Sequence, residues 1–354
     1  MVRLSDVAKL AGVSAGTVSN VLNGRTQTMG AEILLRVQKA ITDLGYQPNL
    51  AARSLKTGQT PLIGLLVPSI EYPSWSRLAR EVEKVSYAEY ALRIIVGNTY
   101  RDPRQEKSFL QDLLSHGIRG VIIVSPLLEQ KHFEESIKRG LIAVSYDQIP
   151  SPGTSPLFDY VSIDHFEATR IAVNHLIDNG HKRLAYVTAS GKSSSRQKKI
   201  EGFLSATNKA NLSGTSEVIE GKAEIGYGDD EMPRLGYEVA IEIATRRIRP
   251  TGIVTLNDML AVGIITGLMD RGVRVPEDIS VVGIDDLLLS QYISPGLTSV
   301  RYPITEMAKT MVDRIVYRLG NPIEKPQEFG FQAKLIKRGS VANLGTGAVP
   351  AVDS

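Results

Sequence analysis

The stretch Leu4–Gly24, LSDVAKLAGVSAGTVSNVLNG, decides how the rest of the chain is read. Inside it, Gly12–Gly16 spells G-x-S-x-G, the pattern of a hydrolase nucleophile elbow with Ser14 as nucleophile. An elbow needs a buried strand before the serine and a large sheet beneath it. The residues before Ser14 are instead spaced for a helix, because Leu4, Val7, Ala8 and Ala11 follow i, i+3, i+4, i+7. Gly12 suits the positive φ that ends a helix. Ser14 then caps a second helix whose inner face is Val18, Val21 and Leu22. The hydrolase reading therefore gives way to two helices joined by a tight turn.

Outward from this pair, the loop NGRTQTMG leads to a third helical pattern with Ile33, Val37, Ala40, Ile41 and Leu44 on one face. Gly45 stops it and Pro48 follows. Three short helices supply only a tiny core. A plain helical hairpin is the alternative to a DNA-reading helix–turn–helix. The capping Ser, the turn Gly, the third helix and the charge favour the latter. Residues 1–60 carry seven basic and three acidic side chains, a net +4 that leaves −1 for the remainder of a chain with net charge +3. A basic head on a near-neutral body suits a polyanion, although an ordinary solvated basic surface has the same balance.

PNLAARSLKTGQTP, between Pro48 and Pro61, is too short for a stable lone helix and reads as a linker. From Leu62 the pattern changes to short apolar runs: LIGLLVP, LRIIVGN, GVIIVSP, LIAVSYD, YVSID, RLAYVTA, GIVTLND and ISVVGIDD. Amphipathic stretches such as SRLAREVEKVSYAEY and EKSFLQDLLSHG separate many of them. That alternation predicts parallel sheets covered on both faces. The expected fold is an all-α helix–turn–helix head plus an α/β body of two doubly wound parallel-sheet subdomains. Its boundaries are 1–47 for the head, 48–61 for the hinge helix or linker, 62–340 for the body and 341–354 for a C-terminal tail. Ligands of such sheets bind beyond the strands' carboxyl ends, where Asp147, Asn257, Asp258, Asp285 and Asp286 fall.

Other chemistries find little support. The chain has no cysteine, which suits a reducing cytosol. MVRLSDVAKLAGV lacks the apolar core of a secretory signal, and no run is long enough to span a membrane. The protein is expected to be cytoplasmic, with no membrane partner. Gly191–Ser194, GKSS, mimics the end of a phosphate loop, but Tyr186 stands where the pattern needs glycine, so a polar ligand-facing loop is expected. The five histidines show no metal-binding spacing, and GDDEM around Asp229 reads as a solvated loop. No metal, cofactor or catalytic constellation is expected.

LSDVAKLAGVSAGTVSNVLNG resembles the N-terminal signature of the lactose/purine repressor family of bacterial transcription regulators. GYQPNLAARSLKTGQTPLIGLLVP resembles that family's hinge. NTYRDPRQEKSFLQDLLSHGIRGVIIVSP, NHLIDNGHKRLAYV, RPTGIVTLNDMLAVG, RVPEDISVVGIDD and LTSVRYP resemble its body in order, so the likeness spans nearly the whole chain. It implies a homodimer, in some members a tetramer, with a periplasmic-binding-protein-like sensor, bound to a near-palindromic operator in double-stranded DNA.

The resemblance implies base-edge contacts from Ala15, Gly16 and Asn20, with Ser14, Thr17 and Ser19 beside them and Arg25, Thr26 and Gln27 in the following loop. Gly16 departs from the polar residue common there. Leu55 would wedge into the minor groove, flanked by Arg53, Ser54 and Lys56; a passive linker is the alternative. Trp75 matches an aromatic pocket residue able to stack on a sugar face or a purine, with core packing as the alternative. Asp147, Asn257, Asp258 and Asp285 would meet effector hydroxyls. Lys199 stands where the family usually has arginine, and Arg196 could take over its fork. Ser74, Gln148 and Ser195 complete the set. The implied effector is a sugar or sugar derivative, with a purine or nucleoside second. A solute-binding protein would share the body and lack the head.

Overall fold

Three helices open the chain: α1 (Leu4–Ala11), α2 (Ala15–Leu22) and α3 (Ala31–Asp43). Val7, Ala8, Ala11, Val18, Val37 and Ala40 form their buried core, lined by Leu4, Val13, Val21, Leu22, Ile33, Ile41, Leu44 and Tyr46. These are the residues that the helical period places inward. Gly12 ends α1 with φ +65°, and Gly45 follows α3 with φ +57°. The Asp6 carboxylate accepts the Arg3 N–H at 2.8 Å, which satisfies a donor at the start of α1. The computed structural model describes residues 2–22, 24–27, 29–46, 60–125, 131–147, 156–191, 193–222 and 231–345, side chains 131 and 132 excepted. Arg53, Ser54, Leu55 and Lys56 of the expected hinge, Gln148, Asp229 and the tail from 346 lie outside the described residues. Chain contacts divide the molecule into two compact units, Met1–Thr60 and Pro61–Ser354.

The second unit begins with β1 (Leu62–Val67), α4 (Pro73–Tyr90), β2 (Arg93–Asn98), α5 (Pro103–Ser115), β3 (Gly120–Ile123), α6 (Lys131–Lys138), β4 (Ile142–Tyr146) and β5 (Asp159–Ile163). It continues with α7 (His165–Asp178), β6 (Leu184–Ala189), α8 (Ser194–Lys209), β7 (Glu217–Gly221), α9 (Glu231–Thr245), β8 (Gly252–Thr255), α10 (Asp258–Asp270), β9 (Ser280–Asp285) and β10 (Thr298–Arg301). The last elements are α11 (Ile304–Gly320), β11 (Glu328–Phe331) and β12 (Lys334–Ile336). One sheet has the order β11-β5-β4-β3-β1-β2, the other β12-β10-β9-β8-β6-β7. All pairings are parallel except β10 with β12, which is antiparallel. Both sheets thus reverse their strand order beside the first strand, the doubly wound pattern that places ligand sites at carboxyl ends.

The two halves are interwoven. The chain leaves the first sheet at β5 and enters the second through α7. It returns after β10, where α11 packs against β3 and β4, and lays β11 beside β5. It crosses a third time to place β12 beside β10. The four-residue β11 and three-residue β12 carry no apolar run, so their hydrophobicity does not announce them. The helices are closely packed where side chains permit. A Cβ on Gly263 of α10 would lie 1.9 Å from the Pro233 carbonyl oxygen of α9, so only glycine lets these helices meet.

The body also extends past residue 340. Leu344 N–H donates to Asn179 O at 2.8 Å, Ala342 N–H to Ser280 Oγ at 2.9 Å, and Val341 packs on the core. The expected tail boundary at 341 is therefore too early, since residues 341–345 are bonded into the second sheet's surroundings.

Candidate functional site

In the first unit, Ser14 acts as a cap. Its Oγ accepts the Thr17 N–H at 3.1 Å and lies 2.9 Å from Thr17 Oγ1. The cap turns Ala15, Gly16 and Asn20 to solvent while Val18 is fully buried; Thr17 and Ser19 are half-buried at the flanks. A Cβ on Gly16 would meet only Ser14 Oγ, at 3.6 Å, so nothing in this chain requires glycine there. The Arg25 N–H donates to the Asn20 carbonyl at 2.9 Å and ties the following loop to the end of α2. Arg25 and Gln27 are exposed and Thr26 is half-buried. The result is an eight-residue helix with a bare leading edge, one exposed carboxamide and an adjacent basic loop.

In the second unit, the expected polar side chains gather at the carboxyl ends of both sheets. Tyr72, Ser74 and Trp75 stand at the start of α4, beyond β1. Asp147 follows β4, Asp285 ends β9 and Lys199 lies on α8. Asp285 is held from the other half: Tyr72 Oη donates to Asp285 Oδ2 at 2.6 Å and Ser74 Oγ donates to the same oxygen at 3.0 Å. The Trp75 ring packs edge-on to Tyr146, centroids 5.9 Å apart, and tilted against Tyr72 at 6.0 Å. Asp147 and Asp285 hold φ of +66° and +118°, a region unfavourable for non-glycine residues. Such strain at a cleft carboxylate is maintained by the surrounding structure and points to use of the side chain.

Three further groups, which carry no sequence signal, complete the site. His165 begins α7 at the first crossover. Its Nε2 contacts Asp147 Oδ1, and its Nδ1 lies 3.2 Å from Tyr302 Oη at the second crossover. Tyr186 of β6 is fully buried. In sequence, Tyr186 and Tyr302 look like core residues of apolar strands. A cavity of about 470 Å³ opens over the crossovers, bordered by Asp147, Ser162, His165, Ser195, Phe331 and Gln332 among others. Trp75, Lys199 and Asp285 do not border it.

The buried donors around this centre are incompletely used. Trp75 Nε1, Tyr186 Oη and Arg196 Nε are buried with no hydrogen-bond partner among the described residues. Unsatisfied buried polar groups are rare in native folds, so three in one region mark a place shaped for a polar guest. The Lys199 ammonium is only 7 % exposed and donates to Leu256 O at 3.1 Å, which leaves two N–H bonds unassigned. Burial lowers its pKa, against the opposing pull of Asp285 and Asp147. Burial raises the Asp285 pKa, opposed by Lys199 and the bonds from Tyr72 and Ser74.

Other expected residues lie elsewhere. Asp258 has no exposed surface. Its carboxylate accepts the Leu287 N–H at 2.8 Å, Ser290 Oγ at 2.5 Å and Ser299 Oγ at 2.6 Å. It therefore holds the segment after β9 through three internal bonds, where the sequence reading expected effector hydroxyls. Asn257 caps α10 by accepting the Leu260 N–H at 2.9 Å, with its amide nitrogen left over. Arg196 Nη1 donates to the carbonyls of Ser190 and Gly191, at 2.5 and 2.8 Å, so its fork is partly spent on the loop. Ser195 lies on the cavity wall, 3.4 Å from the capping hydroxyl of Ser193. No group of three or more His, Asp or Glu among the described residues could hold a metal, and no described helix is long and apolar enough to cross a membrane.

Comparison with known proteins agrees with this division. The periplasmic binding protein-like domain matches residues 173–341, and the bacterial regulatory protein, lacI family, model matches residues 3–49. The transcriptional repressor PurR of Aliivibrio fischeri is 32 % identical over 97 % of this chain and 99 % of its own. The ribose operon repressor of Escherichia coli is 30 % identical over 96 % of this chain and all of its own. The structure of the Lac repressor dimer bound to operator and the anti-inducer ONPF superposes with a TM-score of 0.81 at 25 % identity, covering 96 % of this chain and 99 % of that one. The chain belongs to the lacI family of bacterial regulatory proteins, DNA-binding repressors with a periplasmic-binding-protein-like body.

Proposed function

We propose that the protein is a cytoplasmic, non-enzymatic repressor whose hold on a near-palindromic operator is set by a sugar or sugar derivative. The observation that carries this reading is the capped α2 with its exposed Ala15, Gly16 and Asn20. A solute-binding protein would share the body but has no use for that face. Asn20 can pair bidentately with an adenine in the major groove, and the Ala15 methyl can meet a thymine methyl. Two such heads read half-sites one helical turn apart, which requires a homodimer. Ile95 and Val96, exposed on the edge strand β2, and Tyr87, exposed on α4, supply apolar surface that a second copy would cover. Leu55, with Arg53, Ser54 and Lys56, would wedge the minor groove between the half-sites.

The effector side chains are Trp75, Asp147, Lys199 and Asp285, joined by Ser74, Ser195, Arg196 and the Asn257 amide. Sugar hydroxyls suit alternating carboxylate acceptors and buried donors, and the aromatic faces cover the ring. An effector that takes Asp285 Oδ2 displaces Tyr72 and Ser74 from it, which breaks those two bonds between the halves. One touching His165 or Tyr302 presses on the crossovers themselves. Either action biases the angle between the halves, the quantity that couples pocket to operator. Gel shift against a palindromic operator library across a salt series tests the reading; the absence of any sequence-specific shift at moderate salt overturns it. A thermal-shift panel of sugars and purines identifies the effector class.

A further inference from the structure

A second cavity of about 440 Å³ opens between the start of α4 and the segment after β9, and shares no lining residue with the first. Four arginines line it: Arg77 and Arg80 from α4 on one half, Arg301 and Arg338 from the other. Among the described residues, the one carboxylate on its wall is Asp286. Arg301 Nε lies 2.5 Å from Asp286 Oδ2, and Arg338 Nη2 lies 2.6 Å from Oδ1. Arg80 pairs with Glu81 at 2.9 Å. Arg77 has no carboxylate partner among the described residues; its Nη1 donates to the Asp286 backbone carbonyl at 3.1 Å. One negative charge thus stands against three guanidinium groups, a local excess of two positive charges that matches a dianion.

We propose that this cleft is an anion site, distinct from the effector pocket, that takes a phosphoryl group, free or borne on a small molecule. Forked guanidinium groups bind phosphate oxygens in pairs, which point-like ammonium groups cannot. The start of α4 adds its positive dipole end, with Pro73 and Ser76 on the cavity wall. The volume exceeds what one phosphate fills, and exposed Leu288 offers an apolar wall for an organic remainder. Because Arg77 and Arg301 belong to different halves, a shared anion clamps them together beside the Tyr72 and Ser74 bonds.

The test is calorimetric titration and thermal unfolding of the full chain with inorganic phosphate and with glycerol 1-phosphate, against chloride at matched ionic strength. Saturable binding and a raised Tm with phosphate, absent with chloride, are expected. Arg77→Gln breaks no ion pair, and should weaken phosphate binding about tenfold or more. Arg301→Gln should do the same, but Arg77→Gln suffices where the Asp286 cluster fails to form. Equal affinities point to free phosphate, and tighter binding of the ester to a phosphorylated molecule; both support the site. No saturable binding by the wild type, or unchanged affinity in Arg77→Gln, overturns it, whatever the sugar panel and gel shift report.

Discussion

Asp258→Asn should flatten a pH dependence that the buried carboxyl imposes on the body. Burial, then the charge of Asp285, push the Asp258 pKa up from 3.8 to about 7, although Ser290, Ser299 and the Leu287 N–H pull it down. The folded value is the higher one, so the unfolded chain releases this proton first as pH rises. The group's contribution is complete below the unfolded pKa and is lost as pH rises through the folded one. A rise of about three units corresponds to roughly 4 kcal/mol over the full window, of which about 2.5 kcal/mol falls between pH 5 and 7. Asparagine has the shape of the protonated acid and never ionises. Thermal unfolding of wild type and variant between pH 4 and 8 reads the difference. The wild type should lose about 5 °C more than the variant from pH 5 to pH 7, whatever constant offset the substitution adds. Parallel profiles would refute the reasoning, because they would mean that the three donors outweigh burial and keep Asp258 ionised.

Three further outcomes follow from the local geometry. Ser14→Ala removes the acceptor for the Thr17 N–H and should destabilise α2 by about 1 kcal/mol, read as faster amide exchange over Ala15–Leu22. Gly16→Ala places a Cβ in ordinary contact with Ser14 Oγ, at 3.6 Å, and should strengthen α2 by roughly 0.5 kcal/mol. If the bare edge exists for close approach to DNA, the same change should weaken operator binding in the gel shift, and unchanged affinity removes that role. Trp75→Phe keeps a ring against Tyr72 and Tyr146 but deletes the unpartnered Nε1–H. It should cost about 1 kcal/mol of affinity, roughly fivefold in Kd, for the sugar that the panel identifies, measured by calorimetry; an equal Kd would place that N–H outside the site.

The contrast between Asp258 and Asp285 shows where sequence reading stops. Both are acids at the carboxyl end of an apolar strand, and by local pattern both belong to a pocket. Ser14 was legible because its partner, Thr17, lies three residues away and the cap is a local event. The apolar strands were legible for the same reason, since hydrophobic runs are written residue by residue. The donors that saturate Asp258 come from Leu287, Ser290 and Ser299, 29 to 41 residues downstream, so only the folded chain shows that it is spoken for. Asp285 is met from the other half, by Tyr72 and Ser74 more than 200 residues upstream. His165 and Tyr302 owe their place to the crossovers. A crossover is a property of which sheet each flanking strand joins, and β11, with its alternating exposure, joins the first sheet through β5 rather than through any feature of its own. The side chains best placed to couple a bound effector to movement of the halves are therefore those that no local motif marks. Substitutions at His165 or Tyr302 should alter the response to effector more than the affinity for it.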